Sequence, residues 1–255
     1  MMNKEYDILP KINRNDLLKA KKYTQVYLPL FITDDMYHNH REIMPMLNSS
    51  QQIYLTFYLM DETMRTGYNR GFLQLIYDGY GEYVFEKPFA KIIKTWGAIK
   101  ISEIVEKARS IYEKHKNRVE KIKTEEELSC LCSEITDFEV LDDEYIRISD
   151  NDEKKIKEYI ENNTNEFAII DESNSQVSHV DISIKEMDDR MKMFGEIEII
   201  EKYIEDNISK FTINDENNTL VINASEIFGE NNTLSGRVSL TKEINGKSVT
   251  IKIKR

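Results

Sequence analysis

Apolar residues recur with helical spacing through most of the first two thirds of the chain. One such face is spaced at i, i+4, i+7 and i+11 and consists of Ile53, Phe57, Met60 and Met64. A second apolar stripe runs over residues 101–122, about six helical turns. This period is typical of helices that bury one face. The pattern therefore predicts a mainly α-helical domain over residues 1–172.

Polar residues mark where some of these helices begin. Thr124 and Glu127 have the spacing of a capping box and predict a helix start at that point. Ser149 or Asp150 is a candidate cap for a further helix.

The period changes in the last third of the chain. We predict a strand over residues 177–184 and a helix over residues 194–209. Short runs rich in β-branched residues follow, at 219–223, 237–241 and 249–253. Asn245-Gly246 lies between the last two runs and is typical of a hairpin turn.

These runs predict an antiparallel sheet of at least three strands. One face is expected to carry Val249, Ile251 and Ile253 opposite Val238 and Leu240. Because so small a sheet is marginal alone, it should pack on the preceding helix through Ile197, Ile200 and Ile204. The predicted fold class is α+β, with a helical domain over 1–172 and a small α/β appendage over 173–255.

Composition narrows the class of protein. The chain has 255 residues, of which 40% are hydrophobic and 32% charged, which argues against disorder and against a membrane protein. The first 20 residues contain no apolar signal segment. Cys130 and Cys132 cannot form a disulfide framework. We therefore expect a cytoplasmic protein.

The net charge of −11 is concentrated in one region. Residues 124–206 carry 26 Asp and Glu against 8 Lys and Arg. Such a field repels nucleic acid and membrane surfaces and attracts basic protein surfaces. One interpretation is solvated helix faces; the other is imitation of a phosphate backbone. The candidate contacts lie near predicted helix starts and are Glu125, Glu126, Asp142, Asp143, Glu144, Asp152 and Glu153.

Catalytic and cofactor motifs are not recognisable. His38 and His40 have no third metal ligand at a suitable spacing, and residues 79–81 lack the rest of a nucleotide-binding motif. No catalytic residue, cofactor or metal site is predicted. A metal-dependent hydrolase remains a remote alternative, and it would need Asp78 and Glu82 to converge with the two histidines.

The segment 69–82 has the sequence NRGFLQLIYDGYGE. It resembles the N-G-G-F-x-Q-F-F-x-N-x-x-G-E signature of the DNA-mimic-protein-19-like family. The matching residues are Asn69, Gly71, Phe72, Gln74, Gly81 and Glu82. The departures are Arg70 for glycine, Leu75 and Ile76 for two aromatic residues, and Asp78 for asparagine. Residues 138–145 are similar to the family's F-x-x-L-D-D-x-Y/F segment, and the resemblance covers roughly residues 45–168.

The resemblance implies a mainly helical domain that works as a non-catalytic acidic dimer and occupies a DNA-binding protein. The motif residues themselves are expected to make the fold. Gly71 and Gly81 permit positive φ or close approach, Phe72 packs, and Asn69 and Gln74 satisfy loop backbone groups. A ligand cleft built from the same residues is the alternative.

Three functional hypotheses follow. The first is a non-enzymatic acidic module, without cofactor, that binds a basic protein surface as a DNA mimic and forms a homodimer. The second is an immunity-type protein that neutralises a toxin. The third is the metal-dependent hydrolase.

Overall fold

The computed structural model describes residues 8–66, 70–86, 88–172, 179–211, 218–229, 239–244 and 247–254. The chain divides into two compact units, Met1–Val177 and Ser178–Arg255. They are called the helical unit and the appendage below. The predicted class, mainly helical with a small α/β appendage, is confirmed. That the two parts fold as independent domains stays a prediction.

Ten α-helices lie in the described part of the helical unit. They are α1 Arg14–Ala20, α2 Thr24–Tyr27, α3 Asp34–His38, α4 His40–Ile43, α5 Ser49–Thr66, α6 Gly71–Tyr77, α7 Phe89–Thr95, α8 Ile99–Val119, α9 Glu125–Glu134 and α10 Glu139–Asn162. One π-helical segment, Glu82–Glu86, follows α6. Within the described ranges, no helix combines the length and the apolar run needed to cross a bilayer.

Large aromatic side chains fill much of the core of the helical unit. Trp96 stacks on Tyr159 with ring centroids 4.5 Å apart, and Phe167 meets the edge of the Trp96 ring at 5.9 Å. Tyr54 is buried, and its hydroxyl donates to the Leu28 carbonyl at 2.5 Å. Burial of each such ring contributes roughly 1.5–3 kcal/mol to the free energy of folding. These contacts join α7 and α10 and connect α5 to the N-terminal segment.

The two ends of the helical unit are joined by a parallel pair of strands that the sequence pattern did not predict. Strand β1, Lys11–Asn13, pairs with β2, Ile169–Asp171, so that Ile12 lies opposite Ile170. Arg14 adds an ion pair to Glu172 at 2.5 Å. Three-residue strands are too short to show a period, so only the tertiary structure identifies them.

Helix α10 is continuous, so the predicted cap at Ser149 or Asp150 is wrong. Ser149 is buried in the middle of the helix, and the buried residues on either side of it form one stripe. This stripe includes Leu141, Tyr145, Ile156 and Ile160. The capping box at Thr124 and Glu127 is confirmed, with the Glu127 backbone N–H donating to Thr124 Oγ1 at 3.2 Å.

The appendage begins with one long helix, α11, His179–Asn207. The strand predicted over 177–184 is therefore wrong from residue 179 onward, while 177 and 178 lie outside the described residues. Val180, Ile184 and Met187 are the least exposed side chains of this stretch. Their spacing of four and three residues fits a helical face, which overrides the local β-branched alternation.

Three strands follow, β3 Thr219–Asn223, β4 Ser239–Ile244 and β5 Lys247–Lys254, in the order β3-β5-β4. Strands β4 and β5 are antiparallel as predicted, with Leu240 opposite Ile251. Strands β3 and β5 are parallel, so the sheet is mixed and the fully antiparallel prediction is wrong.

The parallel pairing follows from the place of β5 between β3 and β4. Helix α12, Ala224–Phe228, begins directly after β3, where the Glu226 carboxylate accepts from the Asn223 N–H at 3.2 Å. Strand β4 runs opposite to β5 and therefore opposite to β3, so β5 has the direction of β3.

The predicted packing of this sheet on its helix is confirmed. The buried cluster combines α11 and sheet residues, namely Ile200, Ile204, Leu220, Ile222, Ala224, Ile244, Val249, Ile251 and Ile253. Ile197 and Leu240 pack against it partly buried. Val238 and the turn residues 245–246 lie outside the described residues.

We predict that residues 1–172 fold without the appendage, because both strands that close the helical unit and its aromatic core lie within them. The fragment should show a helical circular dichroism spectrum and a cooperative thermal transition, with the full chain as reference. An insoluble fragment, or one that unfolds without cooperativity, would contradict the division.

Candidate acidic surface and the adjoining polar cleft

The start of α6 lies directly against the first turns of α10. Gly71 has φ +43°, and a Cβ at this position would lie 2.0 Å from Asp142 Cγ. The same carboxylate accepts the Phe72 backbone N–H at 3.1 Å. Position 71 therefore requires glycine both for its backbone conformation and for the close approach of Asp142. The predicted role of Gly71 is confirmed in this respect.

Asp142 acts as a cap rather than as an open contact. Burial, with smaller contributions from the charges of Asp143 and Glu139, raises the pKa of its carboxyl to about 6, while the Phe72 N–H opposes the shift. The sequence hypothesis placed Asp142 among the exposed partner contacts. Its half-buried position against α6 corrects that hypothesis.

The predictions for the other motif residues are confirmed only in part. Phe72 is fully buried, as expected. Gln74 Nε2 donates to Asp78 Oδ1 at 2.8 Å, so it binds a carboxylate rather than a loop backbone group. Glu82 is exposed at the start of the π-helical segment. Asn69 lies outside the described residues.

Position 81 does not require glycine for a positive φ or for a close approach. A Cβ there would meet Ile76 at 3.6 Å, an ordinary contact, and its φ is not positive. Gly79 instead has φ +85°, and the Arg41 guanidinium lies over it. The expectation of a positive φ or a close approach at Gly81 was therefore wrong, and the backbone constraint lies two residues earlier, at Gly79.

Two predicted contact residues are buried inside the helical unit. Asp152 is 3% exposed and accepts the Ile101 N–H at the start of α8 at 2.9 Å. Glu153 is also 3% exposed and pairs with Arg65. Both belong to the inner side of the continuous helix α10, so their prediction as partner contacts is wrong.

Arg65 joins α5 and α10 through a group of carboxylates. Its Nε donates to Asp61 at 3.0 Å, and its Nη2 to Ser149 Oγ at 2.9 Å. The Tyr145 hydroxyl donates to Asp61 at 2.7 Å. Burial raises the pKa values of the Asp61 and Glu153 carboxyls, and Arg65 opposes both shifts. The charge of Asp61 adds to the shift of Glu153. This group holds two helices together with much of its charge removed from the surface.

Helix α8 and Arg70 neutralise several of the remaining acids. Lys107 pairs with Glu144 at 3.3 Å, Lys114 with Asp137 at 3.5 Å, and Arg118 with Glu134. Arg70 pairs with Glu125, which is 57% exposed. Glu125 and Glu144 thus remain accessible in part, but each already has a cationic partner. The acidic region is less negative at its surface than its composition suggests.

Near the starts of α9 and α10, Glu126, Glu139 and Asp143 are exposed and form no ion pair with any of the described residues. We call these three the open carboxylates. Glu126 lies in the first turn of α9, where backbone and Thr124 hydrogen bonds lower the pKa of its carboxyl. Glu139 was not among the sequence candidates. Its place directly after Phe138, in the segment that is similar to the family, could have identified it as a candidate.

The open carboxylates of α10 border a mainly polar hollow that also includes apolar side chains. Its volume is 340 Å³, and it is lined by Met64, Gly71, Glu139, Asp142, Asp143 and Ile146. Ile146 is 48% exposed, and Val140 on the same helix is 71% exposed. Exposed apolar side chains among charges are typical of surfaces that bind proteins.

A second, polar cleft of 470 Å³ lies between α5 and α6. Its lining includes Tyr37, Glu62, Arg70, Gln74, Asp78 and Tyr80. The motif segment therefore contributes to the fold and also borders a cleft. A cleft built from these residues was the alternative that the sequence left open.

The residues of the hydrolase hypothesis do not form a metal centre. No group of three or more His, Cys, Asp or Glu side chains with the geometry for a metal ion occurs in the described ranges. The His40 ring lies between the edges of Tyr80 and Tyr83, at 5.1 and 6.2 Å. Its Nδ1 is 3.2 Å from the Tyr37 carbonyl.

Two glycines of one motif should respond differently to alanine. We predict that Gly71→Ala lowers the free energy of unfolding by about 1–3 kcal/mol, because it strains φ and displaces Asp142. Gly81→Ala is the matched control and should change it by less than about 1 kcal/mol. Chemical denaturation measures both; equal effects would contradict the close approach.

Asp142→Asn should remove a pH dependence of stability. Because the carboxyl pKa is raised, the folded chain holds its proton more tightly than the unfolded chain. The resulting stabilisation is full below about pH 4 and is lost as the pH rises to about 6. The asparagine oxygen keeps the Phe72 hydrogen bond without charge, so the variant should be about 1 kcal/mol more stable at pH 7.5.

Denaturation series between pH 4 and 7.5 would measure this difference, with Glu113→Gln at an exposed position of α8 as control. A variant that unfolds more easily at pH 7.5 than the unchanged chain would show that the charge is needed.

Comparison with known proteins matches the same part of the chain. Residues 46–163 match the family described as DMP19-like protein. The chain is also 29% identical over 130 residues to DNA mimic protein DMP19 of Neisseria meningitidis serogroup B (strain ATCC BAA-335 / MC58). That alignment covers 51% of this chain and 77% of the relative. The resemblance indicated by the motif residues is therefore confirmed, as a match of residues 46–163 to the DMP19-like family.

Proposed function

We propose that this chain is a non-enzymatic module that binds a basic protein surface and acts as a DNA mimic. The observation that carries the proposal is the set of open carboxylates, Glu126, Glu139 and Asp143, on the first turns of α9 and α10. They are exposed and form no ion pair with the described residues, so a partner can reach them without breaking an existing bridge.

Their position near helix starts suits negatively charged side chains. A helix N-terminus carries partial positive charge, which stabilises nearby carboxylates. Helices are also rigid supports, so the carboxylates hold a fixed arrangement as phosphates do along a duplex. Lysine and arginine side chains evolved to contact phosphates would find comparable acceptors here.

The neighbouring apolar side chains add what a purely electrostatic surface lacks. Val140 and Ile146 are exposed on the helix that carries Glu139 and Asp143. Burial of their surface would strengthen a complex that long-range charge attraction first brings together. Selectivity for one basic protein over DNA-binding proteins in general would arise from such contacts.

The similarity to a protein named as a DNA mimic supports the same class of function here. By this proposal the partner is a DNA-binding protein, and the chain works as a homodimer. In this proposal, the negatively charged surface contacts the partner. Gly71 and Phe72 stabilise the fold beneath that surface.

A matched pair of triple variants tests the surface. Glu126→Gln, Glu139→Gln and Asp143→Asn together should weaken binding about 10-fold or more, because three unpaired charges are lost at the contact. The control combines Glu103→Gln, Glu113→Gln and Glu158→Gln, which removes equal charge from exposed positions elsewhere. Binding should be measured with a purified DNA-binding protein captured from the native host, at several salt concentrations.

The affinity should fall steeply with salt, and double-stranded DNA should compete with the chain for its partner. Salt-independent binding, or equal losses in both triple variants, would contradict the electrostatic surface. A captured toxin that DNA does not displace would instead favour the immunity hypothesis.

A further inference from the structure

We propose that the polar cleft between α5 and α6 binds a guanidinium or primary ammonium group on an aliphatic stem. The inference rests on the proposed function only for the source of the cation, which would be an arginine or lysine of the partner. A free amine has the same chemistry, and the test below separates the two sources.

The cleft has the size and walls for such a group. Its volume of 470 Å³ lies within the usual range for ligand sites, about 300–1,000 Å³. Tyr37 and Tyr80 contribute aromatic wall, and Leu59 contributes apolar surface. Aromatic faces attract cations, and the apolar surface suits an aliphatic stem.

Two carboxylates of the cleft lack a cationic partner among the described residues. They are Glu62 on α5 and Asp78 just after α6. Gln74 Nε2 donates to Asp78 Oδ1 at 2.8 Å, which fixes the orientation of that carboxylate without neutralising it. A bound cation would supply the missing charge to both.

The negative charges around the cleft favour binding of a cation. Burial raises the pKa of the Asp78 carboxyl. Burial also raises the pKa of Tyr37, and the charges of Glu62 and Asp78 add to that shift. Both carboxylates therefore act on one phenol at the wall, so a single cation between them could interact with all three groups.

One guanidinium already closes a side of the cleft. Arg70 pairs with Glu125 and donates to Ser129 Oγ at 3.0 Å. Because Arg70 is paired with Glu125, the other charged residues of the lining, Glu62 and Asp78, are both negative. Such a lining excludes an anionic ligand. Arg41 lies over Gly79 beside the cleft and is not part of its lining.

Two departures from the family signature fall in this lining. Arg70 stands where the signature has glycine, and Asp78 where it has asparagine. The second departure adds a negative charge, so recognition of a cation would be a property of this chain. It also supplies a substitution, Asp78→Asn, that keeps the shape and an oxygen acceptor for Gln74.

The experiment uses the full chain and two matched probes, N-acetyl-arginine amide and its neutral isostere N-acetyl-citrulline amide. Calorimetric titration at low salt should show saturable binding of the arginine probe alone. Asp78→Asn and Glu62→Gln should each weaken it about 5–10-fold, as expected for loss of a charged hydrogen-bond acceptor. Glu113→Gln, at an exposed position outside the cleft, should change it less than about twofold.

Two NMR measurements complete the test. One locates the binding site, and the other shows whether each variant is folded. The side-chain amide signal of Gln74 should shift on titration, and each variant should retain the dispersed spectrum of the unchanged chain. No saturable binding, equal binding of the citrulline probe, or an equal loss in Glu113→Gln would overturn the proposal.

Comparison of spermidine with a short arginine-containing peptide identifies the source. Tighter binding of the peptide supports a partner side chain, and tighter binding of spermidine supports a free amine. Failure of the cleft is distinguishable from failure of the proposed function, because the triple variant of the open carboxylates leaves Glu62 and Asp78 intact.

Discussion

The acidic surface and the polar cleft both depend on the close approach of Asp142 to Gly71. Because the carboxylate occupies the place of a side chain and accepts the Phe72 N–H, the first turns of α10 are held against the start of α6. Helix α10 presents Glu139 and Asp143 to solvent, while α6 leads to Gln74 and Asp78 in the cleft. A half-buried charge is the cost of this arrangement, and it is tolerated because the backbone N–H and the helix start partly compensate for it.

The acidic region uses its carboxylates in three different ways. Asp152 and Glu153 are buried and connect helices, since a charge removed from water needs a hydrogen bond or an ion pair. Glu125 and Glu144 lie near the surface and pair with cations of other elements. The open carboxylates are left to face solvent. A net charge counted along the sequence therefore overstates the charge that a partner would meet, and the pairing pattern decides where the negative surface lies.

Periodicity predicted the elements that bury one continuous face, and it failed where pairing is non-local. The stripe around Ile53 and the sheet residues that pack on α11 followed from spacing alone. The strand predicted over 177–184 was wrong because Val180 and Ile184 fit a strand period as well as a helical one. The direction of β3 against β5 could not be derived, because it depends on the path of the chain between them.

The sequence by itself determined the helical class, the capping box at Thr124, the sheet-on-helix core of the appendage and the family resemblance. These features depend on local propensity and on the order of residues along the chain. Only the tertiary structure decided which carboxylates are buried, paired or open, and that Glu62 and Asp78 meet across one cleft. The reason is physical: burial and ion pairing are set by residues distant in sequence, as when Arg65 of α5 reaches Glu153 of α10.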